Sequence, residues 1–239
     1  MNYSNLYIGF DRDGTLDLPN LQFDTNLAYQ LKGLKSLGAK LFLASGKGCE
    51  FLNTYFKEFD VEFDIVCGEN GGHIISNNVD YIKKCSNKHL DVFIDNLPLL
   101  NLPFFEEEPK KSIWTGRFFD KSEHAGKIIR QFIDINKLDL QVYIHPDNVG
   151  AVDVVPNVVD KTNVLEFIPY HANIHFFGDG NNDLSLMKHQ RVIPHTVENA
   201  TPEVKSCVQN KNGNISKLIA KDGVADGIGK LFLRSHHEH

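Results

Sequence analysis

Two aspartates directly follow the first apolar segment of the chain, and this placement constrains the fold more than any other feature. The apolar run Leu6–Phe10 leads straight into Asp11-Arg12-Asp13-Gly14-Thr15. Strands buried on both faces have this apolar character, and ligands of an open α/β sheet bind beyond the carboxyl ends of the strands. The pattern therefore predicts a buried parallel strand with two carboxylates at the ligand-binding edge. A solvated turn that closes a strand is the alternative.

A second acidic loop follows another apolar run. Ile174–Phe177 precede Gly178-Asp179-Gly180-Asn181-Asn182-Asp183. Asp179 ends a strand as Asp11 does, and two such carboxylates repel each other unless a cation lies between them. Mg²⁺ takes oxygen ligands and keeps waters and substrate phosphate in its shell, so these residues predict a Mg²⁺ site. Asp183 falls in the first turn of the next helix, where helix capping is the alternative role.

Two other segments are suited to bind an anion at the same edge. The predicted strand Lys40–Ala44 ends in Ser45-Gly46-Lys47, which places a hydroxyl and accessible backbone amides at a strand end. Lys161 begins an amphipathic pattern, and a lysine at a helix start opposes the helix dipole unless an anion is nearby. A solvated surface lysine is the alternative for Lys161.

In this order, the four segments resemble the motifs of the haloacid dehalogenase superfamily of phosphohydrolases. The matching residues are Asp11 and Asp13, then Ser45, then Lys161, then Asp179 and Asp183. The turn at residues 68–74 is similar to the one that members with a type-II cap place before that cap. Two departures accompany the resemblance, because Lys47 stands where many relatives have arginine and His195 stands among residues that are usually smaller.

The resemblance implies a role for each matched residue. Asp11 is the expected nucleophile, which forms an aspartyl-phosphate, and Asp13 is the expected general acid and base. The side chain of Asp11 and the main-chain carbonyl of Asp13 would bind Mg²⁺ with Asp179, and Asp183 would bind the ion through water or hold Lys161 in place. Ser45, Gly46 and Lys161 would bind the phosphate.

The alternation of short strands and helical patterns predicts an α/β fold with a Rossmann-like, doubly wound parallel sheet. Residues 81–155 break this rhythm and predict a small inserted α+β cap, so residues 1–80 and 156–239 would form the hydrolase core. Within the cap, Arg117 is a candidate to contact a substrate carboxylate or second phosphate. A solvated hairpin arginine is the alternative.

Charge and hydrophobicity limit the kinds of molecule that the chain is expected to bind. The 239-residue chain has a formal charge of −6 and no run of Lys or Arg, which argues against nucleic acid as a partner. No segment resembles a signal peptide and no apolar stretch is long enough to span a bilayer, so the expectation is a cytoplasmic monomer or homodimer without a membrane partner. The four cysteines have no metal-like spacing, and the terminal residues 236–239 receive no role.

The predicted function is Mg²⁺-dependent hydrolysis of a small phosphorylated metabolite, either a phosphoglycolate-like acid or a sugar phosphate. A phosphomutase of the same superfamily, similar to phosphomannomutases, is the main alternative. Two others are a phospho-receiver domain, which also clusters Asp, Ser/Thr and Lys at strand ends, and a binding protein without catalytic activity.

Overall fold

The run Leu6–Phe10 forms an interior strand of a seven-stranded sheet in the computed structural model, which describes residues 3–83, 88–102, 106–146 and 150–233. The strands are β1 Leu6–Phe10, β2 Lys40–Ala44, β3 Ile65–Gly68, β4 His73–Ser76, β5 Val79–Ile82, β6 Glu106–Glu108, β7 Trp114–Arg117, β8 Leu140–His145, β9 Ala151–Pro156, β10 Asn173–Phe177 and β11 Val192–His195. The α-helices are α1 Thr25–Ser36, α2 Cys49–Lys57, α3 Lys88–Asn96, α4 Ser122–Ile135, α5 Leu184–Lys188, α6 Pro202–Asn210 and α7 Ala220–Ile228.

The large sheet has the order β11-β10-β1-β2-β3-β4-β5. The first five of these strands are parallel, and β4 pairs antiparallel with β3. The chain moves outward from β1 through β2 to β3, and later from β10 to β11 on the other side of β1. The strand order therefore reverses at β1, which is where a doubly wound sheet binds its ligand. The predicted fold class is confirmed, with an antiparallel edge formed by β4 and β5 that the sequence analysis did not foresee.

Apolar side chains cover both faces of this sheet. One core packs α1, α2 and α7 against residues such as Ile8 and Phe10, and the other packs α5 and α6 against residues such as Phe42 and Phe176. Helix α1 begins where Asp24 accepts a hydrogen bond from the Leu27 amide at 3.0 Å, a standard N-cap. These two layers fix the sheet from which the polar loops extend.

Two helical segments differ from the expectations. The segment Lys161–Phe167 is a 3₁₀ helix rather than an α-helix. Helix α6 was not predicted, although Thr201 caps it through a hydrogen bond from the Val204 amide and Pro202 occupies its first turn. A threonine followed by proline is a helix-start signal that was visible in the sequence.

The inserted segment Tyr81–Asp160 forms a compact unit of its own, separate from the first unit of residues up to Asp80 and from Lys161 onward. Its antiparallel sheet has the order β6-β7-β9-β8. Trp114 is buried in the core that this sheet forms with α3 and α4, and its ring contacts Phe93 edge to face.

The second unit extends to Asp160, five residues beyond residue 155, where the predicted cap ends. Strand β9 continues through Pro156, which pairs with Leu140, and Val159 packs against Ile113 and Val155. These contacts keep the segment before Lys161 with the second unit. Residues 84–87, 103–105, 147–149 and 234–239 lie outside the described residues, and they include Cys85 and the histidine-rich end. No helix among the described residues combines the length and apolar character needed to cross a bilayer.

Candidate active site

Three of the predicted site residues follow neighbouring parallel strands. Asp11 follows β1, Ser45 follows β2 and Asp179 lies two residues beyond β10. The Asp11 amide donates to the Phe177 carbonyl at 2.9 Å, which continues the pairing of β1 with β10. The parallel register therefore brings these polar residues to the same edge of the sheet.

Lys161 lies between two of the carboxylates. Its Nζ donates to Asp11 Oδ1 at 3.1 Å and to Asp183 Oδ1 at 2.6 Å. All three side chains are buried. A buried ammonium paired on both sides with carboxylates is held in one position, so Lys161 is a fixed charge of the site and not a surface lysine.

Asp183 also caps the segment that carries it. Its Oδ2 accepts hydrogen bonds from the amides of Asp179 and Gly180, both at 3.0 Å. A Cβ at Gly178 would lie 2.7 Å from the Asp183 carboxyl carbon, so the close approach requires glycine. The capping role and the ion pair to Lys161 are thus present together.

The first acidic loop is bonded to the second one. Thr15 Oγ1 donates to Asp179 Oδ1 at 2.7 Å. Gly14 has φ +87°, and a Cβ there would lie 2.1 Å from Asp179 Oδ2. Asn199 Nδ2 donates to the Gly14 carbonyl at 2.7 Å, a contact that the sequence analysis did not foresee.

Two carboxyl groups of this site, those of Asp11 and Asp179, have raised pKa values. Burial is the main cause that raises the pKa of Asp11 to about 7, although Lys161 opposes the rise. Burial and the nearby Asp11 and Asp183 also raise the pKa of Asp179. Burial alone would lower the pKa of Lys161, but its two carboxylate partners outweigh burial and raise it.

This donor set fits a divalent cation. Asp11, Asp179 and Asp183 each offer an oxygen, and these oxygens lie within 4.8 Å of one another. Three carboxylates against one lysine leave an excess of negative charge, which a cation with oxygen ligands would neutralise. The residues present therefore fit Mg²⁺.

Asp13 is placed differently from Asp11. Its side chain is 55% exposed, and it accepts a hydrogen bond from Arg12 Nη1 at 2.5 Å, with Lys47 Nζ 3.9 Å away. Arg12 also pairs with Asp17 at 2.9 Å and lies over the Tyr55 ring. No role for Arg12 was predicted from the sequence, although a cation inside an acidic loop was the available signal.

The predicted phosphate-binding segment is held by its neighbours. Ser45 is buried, and its Oγ accepts a hydrogen bond from the Lys47 amide at 3.3 Å. The Asn70 amide donates to the Ser45 carbonyl at 2.9 Å. Asn182 Nδ2 in turn donates to Asn70 Oδ1 at 3.2 Å, which connects this segment to the second acidic loop.

Arg117 lies in the second unit and forms an ion pair with Glu108 on the neighbouring strand β6. Its Nε donates to Glu108 Oε1 at 2.6 Å, and Nη2 contacts the same oxygen. The Arg117 side chain is only 13% exposed, so Arg117 is not the solvated arginine that was the alternative. Its proposed contact with substrate stays a prediction.

The unexplained His195 has a structural partner. Its Nε2 lies 2.8 Å from Nδ1 of the buried His175, and the two rings stack. The Asn214 amide donates to His195 Nδ1 at 3.0 Å. His195 Nε2 therefore carries the proton and donates to His175.

Comparison with protein families now identifies the chain. A model of the haloacid dehalogenase-like hydrolases matches residues 8–115 and 101–228. The chain belongs to the haloacid dehalogenase-like hydrolase family. The resemblance stated from the acidic loops is confirmed, and within this family we call the first unit the hydrolase unit.

Among individual relatives, phosphomannomutases are similar in sequence. The phosphomannomutase of Nicotiana benthamiana is 39% identical over 61 residues, which cover 24% of this chain and 24% of that protein. The matched segment thus spans about a quarter of that relative's length. The phosphomannomutase of Babesia bovis is 24% identical over 229 residues, which cover 79% of this chain and 90% of that one.

Solved structures share the fold over nearly the whole chain. A haloacid dehalogenase-like hydrolase from Bacteroides thetaiotaomicron has TM-score 0.74 at 19% identity, with 95% of this chain and 99% of that chain covered. A subclass IIB sugar phosphatase of the superfamily has TM-score 0.65 at 17% identity, with 94% and 96% covered. The Synechocystis sucrose-phosphatase, solved with sucrose and phosphate, has TM-score 0.65 at 15% identity, with 96% and 98% covered.

Proposed function

We propose that the protein is a phosphatase that hydrolyses a small phosphorylated metabolite through covalent catalysis by Asp11. The observation that carries this proposal is the position of Lys161, which is fixed between Asp11 and Asp183 beside a third carboxylate, Asp179. A buried cation next to a strand-end carboxylate, with acidic groups suited to a divalent metal, is what transfer of a dianionic phosphoryl group requires.

In the first proposed step, an Asp11 carboxylate oxygen attacks phosphorus. A bond forms between that oxygen and phosphorus, and the bond between phosphorus and the leaving alcohol oxygen breaks. Lys161, the Ser45 hydroxyl and the neighbouring amides neutralise the phosphoryl oxygens, which otherwise repel the nucleophile. Asp13 supplies a proton to the leaving alkoxide.

In the second step, Asp13 removes a proton from water, and the water oxygen attacks phosphorus to release inorganic phosphate and free Asp11. This role requires a carboxylate that moves between two protonation states and can reach bulk water. Asp13 is half exposed, in contrast to the buried Asp11 and Asp183 and the partly buried Asp179. The hydrogen bond from Arg12 Nη1 restricts the position of the Asp13 side chain.

Asp11, Asp179 and Asp183, with the main-chain carbonyl of Asp13, would hold Mg²⁺. The bound ion would supply positive charge that stabilises the phosphoryl oxygens in the transition state. The closely spaced carboxylate oxygens and the raised pKa values of Asp11 and Asp179 support this assignment.

A phosphomutase is the second candidate, and the sequence similarity to phosphomannomutases favours it. A mutase uses the same nucleophile but returns the phosphoryl group to a second hydroxyl of the sugar instead of to water. Support for the hydrolase comes from the family match and from the folds shared with sugar phosphatases. Within this class we favour a phosphorylated acid or sugar as substrate.

The test is a screen of phosphate release over a panel of phosphorylated acids and sugars with Mg²⁺ present. We expect continuous turnover of at least one substrate without any added sugar bisphosphate. Isomerisation of hexose phosphates that requires a bisphosphate activator, with little free phosphate released, would instead identify a mutase. The absence of both activities would contradict the proposal.

A further inference from the structure

A buried histidine of the hydrolase unit has a ring nitrogen that nothing in the proposed reaction uses. His73 begins β4, and its side chain is fully buried. Its Nε2 contacts Asp80 Oδ1 on β5. Its Nδ1 is shielded from solvent and has no hydrogen-bond partner among the residues that the structure describes. A buried ring nitrogen without a partner is costly and calls for an explanation.

The contact with Asp80 determines the state of the other nitrogen. An ionised carboxylate only accepts hydrogen bonds, so Nε2 of His73 carries the proton. In a neutral ring, Nδ1 then presents a lone pair. A histidine whose second nitrogen donates to a carboxylate is the arrangement found at metal ligands, where the carboxylate orients the ring and raises its basicity.

Two carboxylates face the same nitrogen. Glu69 Oε1 lies 3.8 Å from His73 Nδ1, and Glu50 Oε2 lies 3.9 Å from it. Nitrogen and oxygen ligands of a tetrahedral zinc ion lie roughly 3.3–3.6 Å apart, so each of these two nitrogen–oxygen distances would have to shorten by about half an ångström to reach that spacing. Glu69 is buried, whereas Glu50 is 64% exposed and leaves a route for an ion from solvent.

We propose that His73 Nδ1, Glu50 and Glu69 form a second divalent-metal site that takes Zn²⁺, with Asp80 orienting the imidazole. An imidazole ligand selects zinc-like cations over Mg²⁺ and Ca²⁺, which prefer oxygen throughout. Two glutamates and a neutral histidine carry a charge of −2, which the ion balances. This site shares no residue with the Asp11, Asp179 and Asp183 cluster.

The place of this site in the fold indicates a structural function beside the phosphate-binding segment. The Glu69 amide donates to the Lys47 carbonyl, and the Asn70 amide donates to the Ser45 carbonyl, both at 2.9 Å. Glu69 and Asn70 have φ values of 52° and 53°, which strain non-glycine residues. A metal that joins Glu50 at the start of α2 to Glu69 and His73 would hold this strained turn against Ser45.

The experiment measures Zn²⁺ binding by calorimetry and elemental analysis with Mg²⁺ in excess. We expect the parent protein to bind one Zn²⁺ per chain and to gain thermal stability from it. Glu50→Gln, an exposed change, should abolish this binding, whereas Glu58→Gln at the other end of the same helix should leave it intact. Asp80→Asn should weaken binding roughly 10- to 100-fold, as expected for a residue that orients a ligand.

Asp179→Asn separates the two metal sites, because it alters the catalytic cluster alone and should retain the Zn²⁺. The proposal is overturned if the parent binds no Zn²⁺, or if the bound Zn²⁺ is lost in Asp179→Asn and kept in Glu50→Gln. Either result would leave His73 with its hydrogen bond to Asp80 alone and no metal at Nδ1. Melting curves without metal confirm that each variant is folded before binding is measured.

Discussion

Lys161 Nζ and Asp183 Oδ1 lie 2.6 Å apart, with both side chains completely buried. The other carboxylate oxygen of Asp183 accepts hydrogen bonds from two backbone amides of the loop that carries Asp179. The ion pair therefore joins the cluster of Asp11, Asp179 and Asp183 to the backbone that positions it. Loss of either partner would affect both the charge of the site and the shape of the loop.

Replacing Lys161 by methionine tests this relationship. Removal of one partner from a buried ion pair leaves an uncompensated charge, so we expect Lys161→Met to lower the free energy of unfolding by about 3–5 kcal/mol. Lys205→Met removes a surface ion pair in which Lys205 Nζ lies 3.3 Å from Glu198 Oε1. This change should lower the free energy of unfolding by only about 0–1 kcal/mol. Urea denaturation measures both. Equal small losses would show that Lys161 is not a structural charge of the site.

Metal dependence is the second prediction. A chelator should abolish phosphate release and Mg²⁺ should restore it, whereas Ca²⁺ should inhibit because it prefers more ligands at longer distances. Asp179→Asn should raise the Mg²⁺ concentration needed for half-maximal rate, and Glu198→Gln, an exposed change outside the carboxylate cluster, should not. Full activity in the presence of the chelator would show that Asp179 and Asp183 do not hold a metal ion that the reaction needs.

Acid should destabilise the protein through the stacked histidines. Burial lowers the pKa of His175 to about 4 and that of His195 to about 3, with His175 adding to the second shift. Unfolding releases both rings to their ordinary pKa of about 6.5, so the unfolded chain binds more protons below that value. Their contribution to stability is therefore complete above about pH 6.5 and is lost as the pH falls toward 4 and 3.

The expected slope is at most about 1.4 kcal/mol per pH unit for each histidine. His175→Asn should flatten it, because the amide oxygen can accept from His195 Nε2 without titrating. His171→Asn, at an exposed position, serves as the control and should leave the slope unchanged. Denaturant midpoints between pH 4 and pH 7 give the measurement. An unchanged slope in His175→Asn would contradict the assignment.

Arg117 provides the test of substrate selection. If it contacts the substrate as well as Glu108, Arg117→Ala should cost about 1.5–3 kcal/mol in kcat/KM on the preferred substrate and much less on a generic aryl phosphate. Glu108→Gln removes the ion pair while keeping Arg117, so it should preserve the preference. Equal effects of the two variants on both substrates would assign Arg117 to the stability of the second unit.

The acidic site was predictable because its geometry follows from strand order. Once Leu6–Phe10 and Ile174–Phe177 are recognised as parallel strands, Asp11 and Asp179 must lie at the same edge of the sheet. The glycines around them were also informative, because Gly14 adopts a positive φ that lets the loop approach Asp179. Short-range pattern and strand register thus determined the main contacts.

Other contacts could not be read from the sequence, because they join residues whose pairing depends on tertiary packing. Arg12 lies next to Asp13 only through its further contacts with Asp17 and the Tyr55 ring. The antiparallel β4–β5 edge brings His73 to Asp80, and no spacing rule connects either one to Glu50. The length of the second unit likewise depends on how Val159 packs.

The most direct test of the central claim is the rate of inorganic phosphate release by Asp11→Asn on the best substrate, with Mg²⁺ at saturation. The Asn amide has nearly the same shape as the carboxyl group and carries no charge. Because burial disfavours the ionised form of Asp11, the variant should fold as stably as the parent. Without a nucleophile, turnover should fall by at least about a thousandfold. A rate within tenfold of the parent would show that Asp11 does not form the covalent intermediate.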